Sequence, residues 1–134
     1  MKLHHLDELQ QLVQRGESVT LEFKQTISHP EKIAKTLVAF ANTMGGKVVV
    51  GISDKKEVIG IDPEEEKFVL QIAASRYCHP PIELTYVEAE IEEKMVLIVE
   101  VRASTVPHFY TSNGVGEQQF FVRCNNQNRL VIKS

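Results

Sequence analysis

The sequence contains no tryptophan and only two cysteines, and no apolar run approaches the ~18 residues that a membrane-spanning helix needs. Cys78 and Cys124 lie far apart and form no CxxC pair, so their spacing offers neither a zinc site nor a redox motif. We therefore expect two buried, reduced thiols. The first ten residues, MKLHHLDELQ, lack the apolar core of a secretion signal. These absences favour a cytoplasmic protein with no membrane partner.

An excess of positive charge is also missing. The 134 residues include 15 Lys and Arg against 18 Asp and Glu, for a net charge of −3. Proteins that coat nucleic acid regardless of sequence are usually strongly basic, so any nucleic-acid surface here must be a local patch. Hydrophobic residues make up 43% and charged residues 25%, which is typical of a folded globular domain. We expect a single domain over residues 1–134, either a whole protein or the N-terminal part of a longer one.

The hydrophobic pattern predicts an α+β fold in which helices pack on a mixed sheet. Ser28 and Asp62 are the predicted N-caps of two helices, and Gly45-Gly46 is the predicted stop of the first. Met44 falls on the apolar face of that helix, and residues 47–53 are apolar on both faces, as in a central strand. Helices are predicted at residues 3–14, 28–44 and 62–78, and strands at residues 19–24, 47–53, 58–61, 83–91, 95–102 and 118–123.

Three acids form the first candidate site. Glu17 precedes the first strand, Glu22 lies on its polar face, and Asp54 follows the central strand. Strands joined by a crossover helix usually lie side by side, so their ends can bring carboxylates together. Such a cluster needs a cation, and carboxylate oxygens suit Mg²⁺ or Mn²⁺, which can activate water against a phosphodiester. The alternative, which spacing alone favours, is three solvated surface acids.

Basic residues form the second candidate site. Arg123 follows the aromatic pair Phe120-Phe121, and cations beside aromatic rings suit single-stranded nucleic acid. The alternative is that the rings are core residues and the charges are solvated, which the pattern alone favours. No GxxxxGK[ST] motif is present, so nucleotide hydrolysis is disfavoured. The candidate nucleic-acid-binding residues are Lys24, Lys47, Lys55, Lys56, His108 and Arg123.

Several linked blocks of the sequence resemble one known family. ESVTLEFK at residues 17–24, IAKTLVAFANTMGG at 33–46 and VVVGISD…VIGI at 48–61 are similar to the E-S-x-x-x-E-F-K, I-x-K-x-I-x-A-F-A-N-T-x-G-G and G-V-x-D-x-G-x-V-x-G blocks of the Schlafen AlbA_2 domain. VPHFY at 106–110 and FFVR at 120–123 resemble its K-P-H-Y…Y-V-R end. The chain departs from the family pattern at Val106, at Lys56 and in the RCNN segment at 123–126.

The resemblance implies an AlbA-like fold with two to three helices packed on the sheet, and it implies two alternative functions. The acidic balance of the chain motivates a third hypothesis. The first is a nucleic-acid-binding domain, for DNA or RNA, of the bacterial transcriptional-regulator type and forming a homodimer. The second is a metal-dependent endoribonuclease of the Schlafen type, in which Glu17, Glu22 and Asp54 would hold Mg²⁺ or Mn²⁺. The third is a dimerisation module without nucleic-acid affinity.

Overall fold

The computed structural model describes residues 2–112 and 116–132, with the side chains described from residue 7 onward. Three helices and eight strands lie in this part of the chain, which confirms the predicted α+β class. The helices are α1 (Lys2–Arg15), α2 (Pro30–Ala41) and α3 (Pro63–Arg76). The strands are β1 (Leu21–Lys24), β2 (Gly46–Val50), β3 (Cys78–His79), β4 (Leu84–Ile91), β5 (Lys94–Val101), β6 (Phe109–Tyr110), β7 (Phe120–Cys124) and β8 (Gln127–Val131).

A four-stranded mixed sheet with the order β1-β2-β5-β4 forms the centre of the fold. β1 and β2 are parallel, with Leu21 opposite Lys47, and α2 connects them in the chain. β5 is antiparallel to both β2 and β4. Two further antiparallel pairs, β3 with β6 and β7 with β8, lie outside this sheet.

Each face of the sheet is covered by helices. Val48 and Val50 of β2 belong to the core cluster that includes α2 and α3, whereas Val49 belongs to the cluster that includes Leu9 and Leu12 of α1. All three valines are fully buried, so β2 is the central strand covered on both faces that the sequence predicts. None of the described helices is long and apolar enough to cross a membrane.

Two local predictions about α2 are wrong. The N-cap is His29 rather than Ser28, because Pro30, with its preset φ, takes the first helical position. The helix ends at Ala41, and Gly45 then donates its N–H to the Phe40 carbonyl at 2.7 Å in a left-handed conformation. Met44 therefore leaves the helix and is 66% exposed instead of facing the core.

Residues 58–61 return antiparallel beside Ile52, as the predicted hairpin does, but they do not form the predicted strand. A single bridge joins Ile52 to Val58, and the N–H groups of Ile59 and Gly60 both donate to the Gly51 carbonyl. Gly51 itself has a φ of +112°, so β2 ends at Val50 and the chain turns there. By contrast, the predicted cap of α3 is confirmed, since the Asp62 carboxylate accepts the Glu64 N–H at 3.0 Å.

Both cysteines are free thiols. Cys78 is fully buried beside α2, and this burial raises the pKa of its thiol to about 12. Cys124 is half-buried in β7. Cys78 is thus held as a protonated core residue at neutral pH.

Candidate nucleic-acid interface

Glu22 lies on β1 and Glu17 bonds to the same strand, whereas Asp54 lies in the exposed turn after β2. Parallel pairing puts the starts of β1 and β2 at one end of the pair and their ends at the other. Glu17 precedes the start of β1, whereas Asp54 follows the end of β2 in an exposed turn. The convergence of the three carboxylates therefore stays a prediction from the sequence.

Glu17 satisfies the backbone of β1. Its Oε2 accepts the N–H of Phe23 at 2.9 Å. β1 is an edge strand, and the N–H of Lys47 and the N–H of Gly51 bond to the carbonyls of Thr20 and Lys24. The backbone N–H and C=O groups of the even-numbered residues of β1 therefore point toward β2, and the backbone N–H of Phe23 points to the open edge of the sheet. The Glu17 carboxylate thus covers a donor that an edge strand would otherwise leave unpaired.

Glu22 is already neutralised by two cations. Its Oε1 accepts from Nη2 of Arg123 at 2.7 Å, and its Oε2 lies 3.4 Å from Nζ of Lys24. Within the described residues, no group of three or more His, Cys, Asp or Glu could hold a metal ion. Glu17, Glu22 and Asp54 therefore do not form a set of oxygen ligands for Mg²⁺ or Mn²⁺, and we derive no metal-dependent step.

Arg123, predicted to contact nucleic acid, lies inside the fold. Its side chain is 1% exposed, and its guanidinium carbon lies 4.8 Å from the centre of the Phe40 ring. Besides Glu22, the guanidinium donates to the carbonyls of Ser18 and Leu21 and to Oδ1 of Asn128. Every nitrogen therefore has a protein partner, and none faces solvent for a phosphate.

His108 is likewise internal. It is 7% exposed, with Nδ1 at 2.7 Å from the Pro80 carbonyl and Nε2 at 3.1 Å from Oγ of Ser104. Its backbone N–H and carbonyl are both bound by the side chain of Asn42. His108 therefore orders the segment before β6, and neither it nor Arg123 is available to a nucleic acid.

The remaining predicted cations are accessible and lie around the β1–β2 pair. The turn that carries Lys55 and Lys56 starts beside Lys24, because the N–H groups of Gly51 and Ile52 both donate to the Lys24 carbonyl. Lys55 and Lys56 are exposed, and neither forms an ion pair with another described residue. We call Lys24, Lys55 and Lys56 the lysine end of the strand pair.

Lys47 lies at the opposite end of β2, near two arginines that the sequence pattern does not single out. Arg15 is the last residue of α1, and Arg102 directly follows β5. Both line one surface cleft together with Lys47. The sequence signal for these arginines is weak, because each one only follows an apolar segment. The packing of α1 beside the ends of β2 and β5 is what brings the two into one cleft.

Comparison with known proteins gives a family and two similar folds. The model of the family described as Schlafen, AlbA_2 matches residues 17–132. The DIP2311 protein from Corynebacterium diphtheriae is 19% identical with a TM-score of 0.67, over 94% of this chain and 29% of that protein. This chain thus spans less than a third of the Corynebacterium protein.

The second similar structure is an isolated domain. The N-terminal domain of an ATP-dependent DNA helicase RecG-related protein from Nitrosomonas europaea is 21% identical with a TM-score of 0.63, over 95% of this chain and 93% of that domain. At these identities the likeness concerns the fold. No curated protein sequence matches this chain.

Proposed function

Because this chain belongs to the Schlafen AlbA_2 family, we propose that it is a nucleic-acid-binding domain of the type found in bacterial transcriptional regulators. The observation that carries the proposal is the family match, which runs through the strands and the turn of the lysine end. The Nitrosomonas domain adds support, since the protein it comes from is named as related to an ATP-dependent DNA helicase.

The charge distribution fits a local binding patch. The chain has a net charge of −3, so attraction to phosphates must come from cations that are close together and accessible. Lys24, Lys55 and Lys56 meet both conditions, and the only acid paired with one of them among the described residues is Glu22. Long lysine side chains in an exposed turn can adapt to the shape of a nucleic-acid backbone. They therefore suit contacts to phosphates, which position the protein, more than contacts to bases.

Fluorescence anisotropy with labelled single-stranded and double-stranded DNA and RNA tests this proposal. We expect binding at low salt whose logarithm falls linearly with the logarithm of salt concentration, because displaced counterions are released. The double variant Lys55→Gln/Lys56→Gln should bind more weakly. On duplex DNA its salt slope should be smaller by roughly 0.9 for each phosphate that the variant no longer neutralises.

The matched control is Arg76→Gln/Arg129→Gln, which removes the same two charges from exposed positions on α3 and β8. We expect its affinity to stay close to that of the parent chain. No binding by the parent chain at low salt would overturn the proposal. It would favour the dimerisation module, the sequence-based hypothesis that needs no affinity for nucleic acid.

The metal-dependent endoribonuclease remains a separate prediction from sequence. The pairing of Glu22 with Arg123 and the position of Asp54 give it no support. Incubation with tRNA and Mn²⁺ tests it directly: cleavage by the parent chain that Glu22→Gln abolishes would establish it.

The homodimer and the cytoplasmic location also stay predictions. Sedimentation velocity over a range of protein concentrations measures the first, and fractionation of the native cells measures the second.

A further inference from the structure

One surface cleft combines features that the lysine end lacks. It lies between the C-terminal end of α1, the segment leading into β1, and the ends of β2 and β5 that are far from Lys24. Its volume is about 520 Å³, within the range of clefts that hold small ligands or parts of larger ones. Residues that are far apart in the sequence meet here, so the cleft exists only in the folded chain.

Three cations line the cleft, and each comes from a different element. Arg15 ends α1, Lys47 is the second residue of β2, and Arg102 follows β5. Both arginines are exposed, and the Lys47 side chain is 31% exposed. Arginine offers a planar set of donors that matches phosphate oxygens, so the two guanidinium groups suit a phosphate better than lysines alone would.

Two acids oppose these cations. Glu8 of α1 pairs with Lys47, its Oε2 lying 2.7 Å from Nζ. Glu100 lines the cleft and is the direct partner of Lys47 in the β2–β5 ladder. The Lys47 ammonium group, which a phosphate oxygen would contact, is therefore already paired with the Glu8 carboxylate. An incoming phosphate must compete with it, and Arg15 and Arg102 are the cations left for first contact.

The other walls of the cleft provide hydroxyl groups and an apolar surface. Ser18 and Thr20 line it, and their hydroxyl oxygens lie 3.4 Å apart. Met44 lies at the rim with 66% of its surface exposed, because the chain leaves α2 before reaching it. A polarisable, unbranched side chain of this kind can contact a sugar or a base beside a bound phosphate.

The cleft is continuous with the lysine end. Gly16 lines the cleft, and a methyl group in place of its α-hydrogen would lie 3.5 Å from Nζ of Lys56. The Lys56 side chain thus reaches from the turn after β2 to the mouth of the cleft. Accessible cations therefore lie at both ends of the strand pair.

We propose that this cleft, which we call the phosphate cleft, binds one backbone phosphate of a nucleic-acid strand that also contacts Lys55 and Lys56. Arg15 and Arg102 hold the phosphate, and Met44 contacts the adjoining sugar or base. This inference rests on the proposed function and adds the site that positions the strand.

Fluorescence anisotropy with the nucleic acid that binds best to the parent chain tests the site through variants that should lower the affinity and one that should raise it. Arg15→Gln and Arg102→Gln should each weaken binding about fivefold, the upper value for an exposed ion pair, because each variant removes a cation that holds the phosphate. Glu8→Gln should strengthen binding by a similar factor, because it releases Lys47. Damage to the fold cannot raise affinity, so the gain separates a binding role from a structural one.

Two control variants measure how much a change of net charge alone alters the affinity. Glu65→Gln and Arg76→Gln change the same charges on α3, and both residues are exposed. We expect each to leave the affinity near that of the parent chain. If the cleft variants shift binding no more than these controls do, the phosphate cleft is overturned even when the Lys55→Gln/Lys56→Gln variant confirms the proposed function.

A second arm separates a strand from a small phosphate compound. Isothermal titration with inorganic phosphate and with a mononucleotide should give binding much weaker than that of the strand. Tight binding of either compound that Arg102→Gln abolishes, with strand binding unchanged, would assign the cleft to a free ligand and overturn the proposal. Absence of strand binding by the parent chain would instead refute the proposed function.

Discussion

Arg123 joins parts of the chain that are far apart in sequence. It lies on β7, and its guanidinium binds the carbonyls of Ser18 and Leu21 while resting over the Phe40 ring. These contacts fix the start of β1 against α2, and Glu22 balances the buried charge. A buried cation is tolerated when each of its nitrogens has a partner, but removing it leaves those partners without donors.

Replacing Arg123 by alanine should lower the free energy of unfolding by about 3 kcal/mol, because two buried carbonyls and Glu22 lose their donor. Urea denaturation followed by circular dichroism measures this change. Arg129→Ala is the control: Arg129 is an exposed cation on β8, and its replacement should change stability by at most ~0.5 kcal/mol. Equal effects of the two variants would contradict the assignment of Arg123 to the core.

Arg123→Lys provides a further check on the role predicted from the sequence. Lysine keeps the charge but cannot reproduce the forked donors, so we expect a less stable chain. Because the site is internal, the folded variant should bind nucleic acid as the parent chain does. Weaker binding with unchanged stability would restore the predicted role of Arg123 on a phosphate.

At the scale of the elements, the segment after α2 connects the helix to three strands. Asn42 donates to the carbonyls of His108 and Phe121 and accepts the N–H of His108, which ties α2 to β6 and β7. Thr43 accepts the N–H of Arg123 through its hydroxyl. A Cβ atom at Gly45 would lie 2.8 Å from the Val101 carbonyl, so this turn packs directly on the end of β5.

The Asn42→Ala variant should lose about 2 kcal/mol of stability, because it leaves three backbone groups without their partner. Asn42→Asp should cost more, since a carboxylate would face two carbonyl oxygens. Thermal and urea unfolding measure both variants. Asn126→Ala, in the exposed turn between β7 and β8, is the control and should be nearly neutral. A neutral Asn42→Asp would show that the connection does not depend on these hydrogen bonds.

At the scale of the whole molecule, α1 and the pair α2 and α3 enclose the sheet from opposite sides. Leu9 and Leu12 of α1 are buried against Phe23, Val49 and Ile98. The same helix contributes Glu8 and Arg15 to the phosphate cleft. Stability and the proposed site therefore share one element, and loosening α1 should affect both.

Leu9→Ala should lower the free energy of unfolding by about 3 kcal/mol, because it opens a cavity between α1 and the sheet. Gln10→Ala, at the exposed neighbouring position, should have little effect. Amide hydrogen exchange should show faster exchange in α1 than in α2 for Leu9→Ala. Uniformly faster exchange in all three helices would mean that α1 does not open separately from the rest.

Local patterns in the sequence were enough for much of this architecture. The helical periodicity predicts α1 and α3, the run of valines predicts a doubly buried β2, and the strands predicted at residues 83–91 and 95–102 correspond to β4 and β5. The linked motifs predict the family, which the match over residues 17–132 confirms. These predictions succeed because helix period, capping and burial are properties of neighbouring residues.

The tertiary structure decided where the charges lie. Arg123 and Ser18 are 105 positions apart, and no local pattern shows that one would bury its guanidinium beside the other. Lys47 and Arg102 are neighbours because β5 is antiparallel to β2, and the packing of α1 brings Arg15 to the same cleft. A charge pattern in sequence states which groups are present, and only strand order and register determine which of them share a surface.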